Sequence, residues 1–191
     1  SYCFIPSVNE NDFADAVFEG ESPDRMALRE GWGKLLPHAV SDPLNPQSWR
    51  GGRGHAVSAL EMPGAPVQPG WDRPDTPHHA PVCIDWESAR LKNRRRVWIF
   101  TTGEENPERP LAVLLDGQFW AESMPVWPAL AALTREGKLP PAVYVLIDVI
   151  DTAHRSRELP CNPDFWLAVQ EELLPHIQCI APFSDRADRT V

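Results

Sequence analysis

Two runs of apolar residues, Leu111–Leu115 and Val143–Ile150, constrain what this chain can fold into more than any other feature. A strand with one solvated face alternates polar and apolar residues. A strand covered on both faces does not, and a parallel sheet flanked by helices imposes that condition. The neighbouring segments supply the helices. Ser123 has the chemistry of a helix cap, Pro125 and Pro128 are tolerated in a first turn, and Gly137 marks a stop. After the second run, Asn162-Pro163-Asp164 opens another helix, in which Phe165, Trp166, Val169, Leu173 and Ile177 recur at helical spacing. Val97–Thr101 mixes β-branched and aromatic residues and adds a strand ahead of both runs. Strand, helix, strand, helix, strand predicts a parallel α/β sheet.

The first part of the chain reads differently. Pro63–Pro81 carries six prolines with little hydrophobic periodicity, so it is expected to be an extended connector, with a domain boundary near residue 80. Before it, Tyr2-Cys3-Phe4-Ile5 reads as a short strand. Ser22-Pro23-Asp24 has the grammar of a helix start, followed by an imperfect stripe of Met26, Leu28, Trp32, Leu35 and Leu36. Ser41–Gly54 is turn chemistry. With 191 residues and 42% hydrophobic content, the chain is long enough for one large domain or parts of two.

The formal charge of −9 opposes a nucleic-acid binder, which needs clustered positive charge to displace counterions. Five basic residues do crowd together, Arg90, Lys92, Arg94, Arg95 and Arg96. They read either as a solvated strand edge or as a local field for an anionic substrate. No long apolar run indicates a membrane span or a signal peptide. The first residue is Ser, so the expectation is that the true N-terminus lies upstream. Cys3, Cys83, Cys161 and Cys179 are widely spaced and read as buried free thiols of a reducing compartment. His78-His79 with Cys83 does not converge on one ion, and no metal site is expected.

Several longer strings go beyond fold class. Arg95–Gly103, Arg109–Gly117, His154–Asn162 and Ala181–Val191, together with Leu44–Trp49 and Gly51–Ser58, closely resemble the enterochelin esterase family. The resemblance runs from Ser1 to Val191. It implies an α/β fold, a parallel-sheet α/β-hydrolase that is incomplete in this chain, preceded by the end of an N-terminal β-sandwich domain. Residues 1–80 would be the last part of that accessory domain with its proline-rich linker, and residues 81–191 the first part of the esterase domain. The implied activity is hydrolysis of the trilactone esters of ferric catecholate siderophores in the cytoplasm. Iron then arrives inside the substrate, and no protein-bound metal or organic cofactor, nucleic acid or membrane partner is implied. In α/β-hydrolases the next strand runs into Gly-x-Ser-x-Gly, which presents the nucleophile. That motif occurs nowhere in these 191 residues. The nucleophile, general base and its acid are therefore expected outside this chain, and the piece alone is expected to be inactive and poorly stable.

Two segments remain for chemistry. The turn Asp116-Gly117-Gln118-Phe119-Trp120 follows an apolar strand at its carboxyl end, where open α/β sheets bind ligands. Gly117 would allow the turn, and the Gln118 backbone amide would serve as one oxyanion donor. The resemblance extends a substrate-binding role to Asp116 and Gly117. Trp120 either stacks on a catechol or packs. The segment His154–Leu159 matches the family's Arg-x-x-Glu-Leu at Arg155, Glu158 and Leu159. Arg155 either binds substrate oxygens with a two-pronged fork or pairs with Glu158 or Asp151 for structural reasons. Arg157 falls outside the match and reads as surface. Ser184, His154 and His176 offer triad residue types without the turn that exposes a nucleophile. Two other functions fit the pattern, a non-catalytic aromatic-ligand binding module and a general acyl or feruloyl-type esterase.

Overall fold

The missing alternation in the apolar runs is explained by a four-stranded sheet covered on both faces. Its strands are β3 (Val82–Ser88), β4 (Asn93–Thr101), β5 (Leu111–Leu115) and β6 (Val143–Ile147), in the order β3-β4-β6-β5; a separate short pair, β1 (Ser48–Trp49) and β2 (Val57–Ser58), precedes them. The computed structural model describes residues 2–6, 31–49, 57–68 and 80–190. The chain divides into two units, Ser1–Pro66 and Val67–Val191, with the division inside the proline-rich connector.

In the second unit, successive residues of β4 and β6 enter opposite cores. Val97, Ile99, Val143, Val145 and Ile147 join Phe165, Val169, Leu173 and Ile177 on one face. Trp98, Phe100, Tyr144 and Leu146 join Ala121 and Val126 on the other. All five residues of β6 are buried. β5 and β6 pair in parallel, and Leu111 makes a further parallel bridge to Thr190. The sheet as a whole is mixed, which corrects the expectation of a parallel sheet. β3 and β4 form an antiparallel hairpin across the turn 89–92, and β4 is antiparallel to β6. So short a connection can only reverse the chain, since a parallel pair needs a crossover of a dozen residues or more.

The helices follow the sequence signals unevenly. Helix α1 (Trp127–Arg135) carries Pro128 in its first turn and ends at Gly137, held at φ 70°. Ser123 does not cap it; that serine closes a π-helical turn, Phe119–Ser123, in which Met124 N donates to Phe119 O at 2.7 Å. Helix α2 (Thr152–Glu158) follows β6. Asn162 then caps α3 (Pro163–Ala168) as expected, its side chain accepting from Asp164 N at 3.0 Å. The helix continues through a π-helical turn, Val169–Leu173, into α4 (Leu174–Ile180). Pro175 lacks the amide that would continue the ladder, and the wider turn ahead of it absorbs the missing bond.

In the first unit Tyr2 and Ser58 exchange backbone hydrogen bonds at 2.9 and 2.7 Å, and Phe4 and Val40 at 2.9 and 2.8 Å. The strand expected at Tyr2–Ile5 is thus a pair of isolated bridges. Residues 31–35 are helical and lead into a 3-10 turn, Leu36–His38, while Trp32 of the expected stripe is 41% exposed. Ser22-Pro23-Asp24, Met26, Leu28, Gly51, Gly52, Gly54 and His78-His79 lie outside the described residues. The four cysteines are free thiols, yet Cys83, Cys161 and Cys179 are exposed and Cys3 half-buried, so burial is not what keeps them unpaired.

Candidate active site

Because β5 and β6 are parallel, their carboxyl ends open on one edge of the sheet, the edge where open α/β sheets take ligands. The antiparallel β4 brings its amino end to the same edge, where the Arg96 carbonyl accepts from Asp148 N at 3.0 Å.

The chain leaves β5 through Asp116 at φ 56°. The left-handed residue is therefore the aspartate, and not Gly117 as the sequence led us to expect. Asp is one of the few L-residues that visits this region readily. Gly117 is needed for a different reason. A Cβ there would lie 2.5 Å from both the Ile147 nitrogen and the Leu146 carbonyl carbon, so only glycine lets the turn rest against β6. The Asp116 carbonyl accepts from Phe119 N at 2.9 Å and from Trp120 N at 3.4 Å. The first amides of a helical turn have no acceptor within it, which puts those of Gly117 and Gln118 at its head. Gln118 Oε1 accepts from Val149 N at 3.3 Å and ties this turn to the end of β6.

Arg155 lies on α2 and not on a loop. Asp151 makes the difference, since its carboxylate accepts from His154 N at 2.8 Å and starts the helix. Those hydrogen bonds, from the His154 backbone first, hold the Asp151 carboxyl below the ordinary carboxylate range. The Arg155 fork closes on Asp116, Nε to Oδ1 at 2.7 Å and Nη2 to Oδ2 at 2.9 Å. This bond and the charge behind it raise the guanidinium pKa. The sequence offered Glu158 or Asp151 as structural partners; the partner is the other candidate turn. Glu158 is buried and pairs with Arg95, while Arg157 is largely exposed and reaches Glu158 Oε1 at 3.3 Å.

Trp120 is half-buried, packs against the Trp98–Tyr144 face of the sheet, and meets Phe119 edge-on at 4.8 Å. Packing is thus the role visible for it. Ser184 is buried, and its Oγ accepts from Arg186 N at 3.4 Å; His176 is exposed and His154 Nδ1 lies 2.9 Å from Asp151 Oδ1. These triad types are not assembled among the described residues. Nor do the described residues hold a group of three or more His, Cys, Asp and Glu side chains that could bind a metal.

One framing residue was not anticipated. Asp148 is buried at the end of β6, where it accepts from Ile150 N at 2.8 Å and from Arg96 Nε at 3.1 Å. Ile150 is thereby held at φ 65°, a strained conformation for a β-branched residue. Arg96 also reaches Glu122 at 2.6 Å and lies 4.7 Å from the centroid of the Trp98 ring. A lone carboxylate inside an apolar run was the available signal for Asp148. Of the basic run, Arg90, Arg94, Arg95 and Arg96 each face a carboxylate, so most of its positive charge is matched locally.

Residues 1–71 match the enterochelin esterase N-terminal family. Over the whole chain, 70% of residues are identical to the iron(III) enterobactin esterase of Escherichia coli O6:H1 (strain CFT073). The chain belongs to the enterochelin esterase family. It covers 47% of that relative and spans about half the length of the curated relatives it matches. Among solved structures of the family, the enterobactin esterase of Shigella flexneri, crystallised in the presence of enterobactin, matches 99% of this chain with a TM-score of 0.81 and 67% identity; the chain covers 47% of it. A ferulic acid esterase from Anaeromyces mucronatus shares the fold over 66% of the chain, with a TM-score of 0.51 and 14% identity, and the match spans 52% of that protein. Among the described residues no helix is long and apolar enough to cross a membrane.

Proposed function

We propose that the protein is a serine esterase that hydrolyses the trilactone ester bonds of ferric enterobactin-type catecholate siderophores in the cytoplasm, releasing iron from its ligand. The observation that carries this is the 70% identity to an enterobactin esterase along the entire chain. On this reading residues 1–80 close an accessory β-sandwich domain with its linker, and residues 81–191 begin an α/β-hydrolase domain. The parallel Leu111–Thr190 bridge supports a further strand beside β5.

The chemistry follows from that placement. A serine hydroxyl attacks the ester carbonyl carbon, a general base takes its proton, and the carbonyl oxygen becomes an oxyanion. The Gln118 amide, at the head of its turn, donates one hydrogen bond to that oxygen. Collapse breaks the ester C–O bond and the leaving alkoxide takes the proton; water then cleaves the acyl-enzyme. These 191 residues assign no nucleophile. Arg155, Asp116, Gly117 and Trp120 line the approach, where guanidinium and indole suit catecholate oxygens and rings. Iron enters as part of the substrate.

The test is to compare kcat/KM of the full-length protein on ferric enterobactin and on simple acyl and feruloyl esters. A strong preference for the siderophore is expected. Comparable turnover of all three makes it a general esterase, and tight binding of the siderophore without ester cleavage makes it a binding module.

A further inference from the structure

Each of the two candidate segments holds the other. Asp116 adopts the left-handed conformation, which Asp can reach but does not prefer, so its surroundings select it. Its carboxylate is fixed by both prongs of Arg155, and its carbonyl organises the turn by accepting from Phe119 and Trp120. Arg155 in turn stands on a helix secured at both ends, by the Asp151 cap at one and by the buried Arg95–Glu158 pair at the other. The amide of Gln118 lies two residues beyond Asp116, on the turn so held.

We propose that Asp116 and Arg155 are positioning residues, whose ion pair sets the direction of the Gln118 amide. This rests on the esterase reading for its catalytic consequence, but the geometric claim stands apart from it. The pair is poorly suited to a stabilising role, because the two side chains are 54% and 32% exposed and such pairs add little to stability. An oxyanion donor displaced by about 1 Å, by contrast, costs on the order of a hundredfold in rate.

The experiment is a double-mutant cycle in the full-length protein with Asp116→Asn, Arg155→Lys and both together. Asn tolerates the left-handed conformation, so the substitution removes the charge and leaves the turn sterically allowed. Each single variant is expected to lower kcat about tenfold to a hundredfold with melting temperature little changed, and any rise in KM from a lost Arg155 contact to the siderophore should be smaller than the fall in kcat. The double variant should be no slower than the slower single. A second readout is independent of substrate: in protein labelled with nitrogen-15 glutamine, both substitutions should move the Gln118 amide resonance in the same direction. Multiplying effects, a rise in KM alone, or an unmoved Gln118 resonance overturns the proposal. So does a large fall in melting temperature for both variants, which makes the pair structural. If the wild type cleaves no siderophore while the amide responds as expected, the esterase reading fails and the positioning holds.

Discussion

Arg95 and Arg155 each grip a carboxylate beside the last turn of α2, and their surroundings are opposite. The Arg95–Glu158 side chains are 1% and 4% exposed. Arg95 lies 5.7 Å from the Trp86 ring centroid and 5.6 Å from that of Phe165, and donates further to Asp148 O at 3.2 Å and Asn93 Oδ1 at 2.9 Å. Glu158 takes a second hydrogen bond from Asn93 Nδ2 at 2.9 Å. Charges removed from water require this many partners, because desolvation otherwise exceeds their attraction. Arg155 and Asp116 have water as an alternative, and nothing in the packing demands that they meet. What the contrast teaches is that burial explains the first pair and site geometry the second.

Breaking the buried pair should give the largest effect. Glu158→Ala leaves the Arg95 charge buried without its partner, and is expected to cost about 3–5 kcal/mol in urea unfolding of the full-length protein. Removing both charges, with Arg95→Met and Glu158→Leu, should recover most of that loss. A single substitution that costs under about 1 kcal/mol would place this pair in the same class as the surface one.

Gly117→Ala tests the step between the two. The new methyl would meet the β6 backbone, and overpacking of this kind costs about 1–3 kcal/mol. A melting temperature equal to that of the wild type would show that β6 yields and that the turn is not fixed by contact.

The smallest effect concerns the exposed start of α2. Asp151→Asn keeps a capping oxygen and removes the charge. Since the folded carboxyl titrates below its ordinary value, its stabilisation is present above about pH 4 and is lost as pH falls through the folded value. The wild type should therefore melt slightly higher than Asp151→Asn near neutral pH, and the difference should vanish in acid. A difference that persists there would assign the effect to the shape of the cap.

What could be read from sequence was local. Asn162-Pro163 and Gly137 carry their helix boundaries in their own covalent structure, and β5 and β6 announce themselves as apolar runs. β3 escaped notice because it is an edge strand. Asp85 and Glu87 face solvent and Asp85 pairs with Arg94, so no apolar run marks it. Arg95 was hidden for the related reason that five basic residues in a row of seven look uniformly solvated, although a strand sends alternate ones inward. Arg155 was singled out as a candidate, but its partner was sought within a few residues. Asp116 is 39 positions away, and only the parallel register of β5 with β6 brings the two turns together. The left-handed Asp116 had no signal beyond its residue type, since the adjacent Gly117 drew the inference to itself.

The contact between Gly117 and β6 bears on how this edge of the molecule can move. A backbone seated directly on its neighbour's peptide units has no slack through which to swing. The turn after β5 and the end of β6 must therefore travel together or stay still, as a doorframe does and a door does not. What can move freely at this turn is its side chains, on the picosecond-to-nanosecond scale of rotamer exchange, and not the turn itself by slower hinging.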